Sequence, residues 1–284
     1  MSGNTSNSGL ESQAKRDPHG DFKAVESSRP KFDQEATWKY TKNIDPGWKP
    51  GSGANNASWK DHRKVEVDPY GEGRSHVDNY KLLISGITPR FIGFISTVSK
   101  DGTTRNLAPF SYTTVVNHDP PIFCIGFSGG KGSHKDTCKN LLETGELTIN
   151  VISEWFIEAA NYTCTNAPYG VDEWKLSGLT PIVSKKVRPA HVAESAFSIE
   201  AKLIHSHEWT SKTDPTRATG TLCIVEGVNF HVREDIANDK LNMLDISALK
   251  PVGRLGGITY SRTMQGFEMT RPVYDEDKVK EILN

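Results

Sequence analysis

The chain has almost no net charge, few cysteines and no long apolar run, and each shortage excludes something. Its 284 residues carry 34 Lys plus Arg against 35 Asp plus Glu, a formal charge of −1. A partner held by bulk electrostatics, such as duplex nucleic acid or an anionic membrane, is therefore not expected. The longest apolar stretch, IFCIGF at 122–127, falls far short of the ~18–20 residues of a membrane span and reads as a buried strand. The opening MSGNTSNSGLESQAKRD contains acids, lacks an apolar segment and has Ser after Met1. It supports no secretory, mitochondrial or myristoyl signal, so a cytoplasmic address is expected. The four cysteines, Cys124, Cys138, Cys164 and Cys223, form no CxxC pair. Neither a disulfide framework nor a zinc knuckle fits, and reduced, packed thiols are expected.

Apolar residues are also unevenly spread. Only 18 of residues 1–75 belong to the AVILMFWYC set, about a quarter, against 36% for the whole chain. Residues 1–75 are expected to form a polar, extended or partly disordered arm, and 76–284 the folded domain. The arm carries three Trp-Lys pairs, at Trp38, Trp48 and Trp59. They are either aromatic anchors onto a folded surface or parts of a solvated tail.

From Tyr80 the texture turns apolar, with KLLISG and FIGFISTV, and Asp101-Gly102 marks a hairpin turn into RNLAPFSYTTVV. Asp119-Pro120-Pro121 interrupts the chain before IFCIGF, and the loop SGGKGSH leads into KDTCKNLLETG. There Cys138, Leu141 and Leu142 recur at i, i+3 and i+4, which predicts an amphipathic helix ended by Gly145. Strands are expected over 146–152, 197–209, 220–232 and 255–261, with helices over 154–161 and 277–283. Ile92, Phe94, Phe123, Ile125 and Ile149 are assigned to the core, and Cys124 with them. Many strands and few helices predict a mainly β barrel or sandwich, not a doubly wound sheet.

Some motifs carry nothing. Gly126-Phe-Ser128-Gly-Gly130 matches GxSxG, but loop residues separate it from the following helix. Gly130-Lys131 lacks the spacing and the hydroxyl residue of a P-loop, and no GxGxxG is present. His205 and His207 share one strand face without assured further metal ligands, so solvated histidines are expected and no metal. The informative residues lie between Pro89 and Asn140. Ser96-Thr97, the stretch from Asn106 to Ser111 and the helix start Lys135-Asp136-Thr137 would together supply hydroxyls, one cation and free helix N–H groups. These suit a phosphate. The small and apolar residues of NLAPFS would let backbone amides approach a flat heteroaromatic ring, with Pro109 removing one donor. The alternative is an ordinary capped helix beside a barrel.

The run from NYKLLISG through NLAPFS, DPPIFCIGF and KDTCKNLLETG, with HVAESAFSIEAKL, EGVNFHV and RLGGITYSR later, resembles the flavin reductase-like, FMN-binding split-barrel family in its flavoredoxin-type branch. The resemblance covers roughly 80–262, and the arm resembles extensions on fungal members. It implies a homodimer of split Greek-key barrels, each holding FMN, with hydride passed from NAD(P)H to flavin N5. Carried over residue by residue, Ser96, Thr97, Asn106, Leu107, Ala108, Pro109, Phe110 and Ser111 would hold the phosphate, ribityl chain and pyrimidine edge. Lys135, Asp136 and Thr137 would complete the phosphate end. Arg254 and Tyr260 would approach the cofactor or nicotinamide, and His231 would be a weaker member. Arg90 keeps its place, although this chain reads Pro89-Arg90-Phe91 where the branch has Pro-Arg-Pro. No side chain is required as a catalytic acid, base or nucleophile. Two other readings stay open: an FMN-binding electron carrier or flavin sensor without nicotinamide turnover, and a barrel adaptor that binds through its arm.

Overall fold

Seven strands of the computed structural model, which describes residues 16–283, make one antiparallel sheet. They are β1 (Gly93–Val98), β2 (Arg105–Phe110), β3 (Thr113–His118), β4 (Pro121–Ser128), β5 (Glu146–Val151), β6 (Phe197–Thr210) and β7 (Ala218–Val232), ordered β2-β1-β5-β6-β7-β4-β3. The two ends of that order, β2 and β3, are neighbours in the chain, separated only by Ser111 and Tyr112. One bent strand thus pairs with β1 along its first half and with β4 along its second, and the sheet closes into a barrel. The mainly β barrel expected from the sequence is the fold.

Closure explains the sequence texture. The β1 residues Phe94 and Ile95 point to different apolar clusters, so this strand is covered on both faces and reads as a continuous apolar run. On β4, Phe123, Ile125 and Phe127 are buried with period two. Cys124, assigned to the core above, therefore faces the other way and is only half-buried. Ile92, Phe94, Phe123, Ile125 and Ile149 are buried as expected. The thiols are all free, but the packed state fails at Cys164, which is exposed.

Three helices position the site: α1 (His76–Gly86), α2 (Asp136–Thr144) and α3 (Glu173–Ser177). The run KLLISG belongs to α1 and not to the strand region that its composition suggests. Helix α2 buries Cys138 and Leu141 in the cluster that holds Ile95 and Ile149, and ends where Gly145 takes φ 72° and donates to the Leu141 carbonyl at 2.8 Å. The expected helix 154–161 is a 3₁₀ turn, Glu154–Phe156, running into a helical turn, Ile157–Tyr162. The expected strand 255–261 is instead a tight hairpin between Val252–Arg254 and Tyr260–Arg262, because Gly256 and Gly257 (φ 61°) turn the chain.

The chain forms two compact units: one comprises residues to Pro30 with Val77–Thr263, the other Lys31–His76 with Met264–Asn284. In the second, Lys39–Tyr40 pairs in parallel with Gln265–Gly266, and Trp38 meets Tyr40 edge-on at 5.5 Å. Trp48 and Trp59 are exposed. The first fifteen residues of the arm, with the Met1-Ser2 start, and Asn284 lie outside the described residues. No described helix is long and apolar enough to cross a membrane, and no described His, Cys, Asp and Glu residues gather in a group that could hold a metal.

A fully buried carboxylate, Glu200 on β6, anchors the segment 185–187 to the barrel. It accepts from the amides of Lys185 (2.9 Å), Lys186 and Val187 (3.1 Å), from Asn229 Nδ2 (2.9 Å) and from His231. Burial pushes this carboxyl up, but the hydrogen bonds from Lys185, Asn229, His231 and Lys186 outweigh burial and hold it at about 2. A carboxyl depressed from 4.5 to about 2 contributes stability that is present above 4.5 and lost as pH falls towards 2. Glu200→Gln, which keeps the shape and removes the charge, should lower Tm at pH 7, and its gap to the wild type should narrow as pH falls through that window. Ile149→Ala, in the barrel core, should cost about 2–5 kcal/mol in chemical denaturation.

Candidate functional site

The β1–β2 hairpin places Thr97 opposite Asn106 and Ser96 opposite Leu107, and all four are buried. The Asn106 side chain is a junction. Its Oδ1 accepts from Thr137 Oγ1 at the start of α2 and from Thr97 Oγ1 at 3.4 Å, while its Nδ2 donates to Glu173 Oε2 of α3 at 3.1 Å. The same Glu173 oxygen accepts the Leu107 amide at 3.2 Å. Asn140 extends the network, donating to Thr97 Oγ1 at 3.2 Å and accepting from Tyr169 OH at 2.9 Å. Burial pushes the Glu173 carboxyl up, against the hydrogen bonds it accepts. The structure therefore brings Thr97, Asn106 and Thr137 together, with their side chains spent on one another in the interior. Glu173, Asn140 and Tyr169 complete the group. Sequence reasoning missed them, although Asp172-Glu173-Trp174 has the form of a capped helix start.

Ala108, Pro109 and Phe110, further along β2, and Ser111, just after it, are half-buried. This stretch has only one paired side, because β2 ends the hydrogen-bonded order. From Asn106 to Ser111 an extended strand covers about 17 Å.

At one end of that stretch stands the N-terminus of α2. The helices beginning at Phe22, Glu173 and Ile246 are each capped by an aspartate, Asp21, Asp172 and Asp245. Helix α2 has Lys135 in the cap position and no side-chain cap bond. Lys135 is half-buried, with no described carboxylate in ion-pair range. Burial pushes the neighbouring Asp136 carboxyl up, partly offset by Lys135 and Lys139. The preceding loop turns at Gly129 (φ 82°), where a Cβ would lie 2.3 Å from the Ser133 carbonyl oxygen. An uncapped helix start with an unpaired cation is suited to an anion.

At the other end is Arg90. Its Nε donates to Ser111 Oγ at 3.3 Å, its Nη1 to the Ile84 and Ile87 carbonyls at the end of α1 (2.6 and 2.7 Å), and its Nη2 to the Leu255 carbonyl at 3.1 Å. Its backbone forms a β-bridge with Arg254. Desolvation, together with Arg254, lowers the Arg90 pKa. The Arg254 guanidinium sits 4.3 Å from the Tyr260 ring centroid and donates from Nη2 to the Gly257 carbonyl at 2.8 Å. Tyr260 OH donates to Asn161 Oδ1 at 2.7 Å. Arg254 Nη1 is buried with no hydrogen-bond partner. Arg90, Ser111, Arg254 and Tyr260 thus form a second group. His231 joins neither, and stacks at 3.9 Å on His191 beside Glu200.

Residues 85–249 match the family model of the flavin reductase-like domain. The uncharacterized protein YwrF of Bacillus subtilis is 34% identical over 195 residues, covering 69% of this chain and 94% of the relative. Nitrilotriacetate monooxygenase component B from Bacillus cereus superposes with a TM-score of 0.68 at 31% identity, covering 73% of this chain and all of that one. A putative flavin reductase with split barrel domain from Shewanella frigidimarina shares the fold, with a TM-score of 0.57 at 20% identity over 72% of this chain and 95% of its own. With more than half its length matched and its strands closed into the same barrel, the chain belongs to the flavin reductase-like family.

Proposed function

We propose that this chain is an FMN-binding oxidoreductase that takes hydride from NADH or NADPH. The observation that carries the reading is the start of α2, where Lys135 stands in the cap position with no side-chain cap bond and pairs with no described carboxylate. A phosphate there would satisfy the first-turn amides and the cation together. The orphaned Nη1 of Arg254 is a second donor that the protein leaves unsatisfied, and an acceptor on a bound molecule fits it.

When bound, the flavin supplies the hydride chemistry, accepting at N5 from reduced nicotinamide. What the chain contributes is binding and orientation. Lys135, with the amides of Asp136 and Thr137, would neutralise the phosphate. The buried Thr97, Asn106 and Thr137 side chains would act through position, by locking β1, β2 and α2 so that their backbone groups keep a fixed spacing. The half-buried stretch from Ala108 to Ser111 would face the ring edge with backbone donors, and Pro109 leaves a gap in that row. Arg90 gives every nitrogen of its guanidinium to protein oxygens, so we assign it the holding of Ser111. Arg254 and Tyr260 would meet the ring or the nicotinamide. A homodimer and a cytoplasmic location belong to the same reading.

The test is the visible spectrum of the purified protein, followed by anaerobic addition of NADPH and then NADH. A flavin spectrum that bleaches with either donor is expected. A flavin that stays oxidised would replace the reading with an electron carrier or sensor, and failure to bind added FMN would remove it altogether. Lys135→Ala should weaken FMN binding by about 1.5–3 kcal/mol, roughly ten- to a hundredfold in Kd, the range for a hydrogen bond to a charged group. Lys139→Ala, whose ammonium rests 4.0 Å from the Tyr169 ring centroid, should change it far less. Fluorescence titration of the apoprotein with FMN measures both.

A further inference from the structure

The loop between β4 and α2 is held by an acid 77 positions away in sequence, Glu208. Glu208 stands on β6 in register with Thr221 of β7, which in turn pairs with Phe127 of β4. Residues directly opposite one another share a face of the sheet. Phe127 and Thr221 are buried, so Glu208 lies on the inward face, at its half-exposed rim. No β5 residue pairs beside it, because the β5–β6 ladder ends at Lys202.

An acid in that place needs partners, and the loop supplies them. Glu208 Oε2 accepts the Lys131 amide, and His134 Nε2 stands 3.2 Å from the same oxygen. The second contact is not aligned as a hydrogen bond, but it is an ion pair whenever the imidazole is protonated. The base of the loop is tied to β7. Gly129 donates to the Thr219 carbonyl at 3.0 Å and accepts from Thr221 Oγ1 at 3.1 Å. Within the loop, Ser133 donates its amide to the Gly130 carbonyl at 2.8 Å. A Cβ on Gly130 would lie 2.5 Å from Ala218 Cβ and 2.7 Å from Glu208 Oε2. A side chain there would drive the loop off the carboxylate. His134 is followed directly by Lys135, the cap residue of α2, so the loop ends where the proposed phosphate site begins.

We propose that Glu208 is a positioning residue, which latches the loop 129–134 from two strands away and so presets Lys135 and the first amides of α2 for an anion. The identity of that anion, the FMN phosphate, rests on the flavin reading given above; the latch itself does not. A loop ordered in advance loses less freedom when the anion binds, and affinity rises accordingly. The sign of the effect separates this role from a direct one. A carboxylate acting directly on a phosphate would repel it and weaken binding, whereas a carboxylate acting as a latch strengthens it.

The test compares the full-length wild type with Glu208→Ala, Glu208→Gln and Gly130→Ala, by hydrogen exchange over 129–134 and by fluorescence titration with FMN. Glu208→Ala should speed exchange over the loop roughly tenfold, leave exchange over β1 and β5 unchanged, and raise the Kd for FMN about tenfold. Glu208→Gln keeps an oxygen for the Lys131 amide and should restore most of both. Gly130→Ala reaches the same loop from the other side and should match Glu208→Ala, so the outcome does not hang on one variant folding. Unchanged loop exchange in the two alanine variants, faster exchange throughout the barrel, faster loop exchange with unchanged FMN affinity, tighter FMN binding by Glu208→Ala, or a Glu208→Gln variant as impaired as Glu208→Ala would each overturn the proposal. A wild type that binds no FMN counts against the flavin reading, and loop exchange then decides the latch alone.

Discussion

A single bent strand has to turn a corner between two partners, and the rest of the molecule is arranged around that corner. At Ser111-Tyr112 the chain leaves β1 and joins β4, and two glycines make room for it. A Cβ on Gly93 would lie 2.7 Å from Thr113 Oγ1, and one on Gly126 would lie 3.2 Å from Tyr112 Cβ. Gly126 also donates its amide to the Tyr112 carbonyl at 2.8 Å. A side chain at either position would force the corner open and with it the barrel. The bend leaves β2 with one unpaired side. Glu173 takes the Leu107 amide there, and the half-buried stretch beyond Leu107 is what the protein presents outward.

The two ends of β2 differ in how their polar groups are satisfied. Around Asn106 nearly every donor meets an acceptor within the protein, in a network that spans β1, β2, α2 and α3. Such a network fixes backbone positions firmly, because breaking any one bond leaves a buried group unpaired. Just outside it the satisfaction stops, at an uncapped helix start with an unpaired lysine. Around Ser111 the pattern repeats: Arg90 is fully used, and Arg254 next to it is not. A rigid interior flanked by unsatisfied donors is the arrangement expected of a site that orients a cofactor and leaves the chemistry to it.

Much of this was legible in the sequence, and the gaps have physical causes. Asp101-Gly102, the i, i+3, i+4 spacing of α2 and its Gly145 stop are local signals, and they specify local structure correctly. NLAPFS could be placed on a strand. The direction of its side chains could not, because parity along a strand tells which residues share a face but not which face is interior. Thr97, Asn106 and Thr137 have the right groups for a phosphate, and the fold turns those groups towards one another. Glu173 and Asn140 were out of reach because their partners lie 66 and 43 positions away in sequence. Cys124 fell to the same parity problem, in a run whose residues are all apolar. The strand expected over 255–261 failed because Gly256-Gly257, with Gly257 at φ 61°, turns the chain back on itself within that span.

The resemblance to other flavin reductase-like proteins rests on the barrel, and the barrel explains the fold and the α2 end of the proposed flavin site. The family model spans 85–249 and stops short of the turn after Arg254. That turn packs tightly on α1, where a Cβ on Gly256 would stand 3.1 Å from Ser85 Cα. A shared barrel with added walls separates two requirements. The barrel must hold its backbone groups to a fraction of an ångström and so tolerates little change. The walls need only supply shape and charge, and they can differ between chains without disturbing the closed sheet. Variation that leaves the closed sheet intact is therefore expected in such walls, not among the strands.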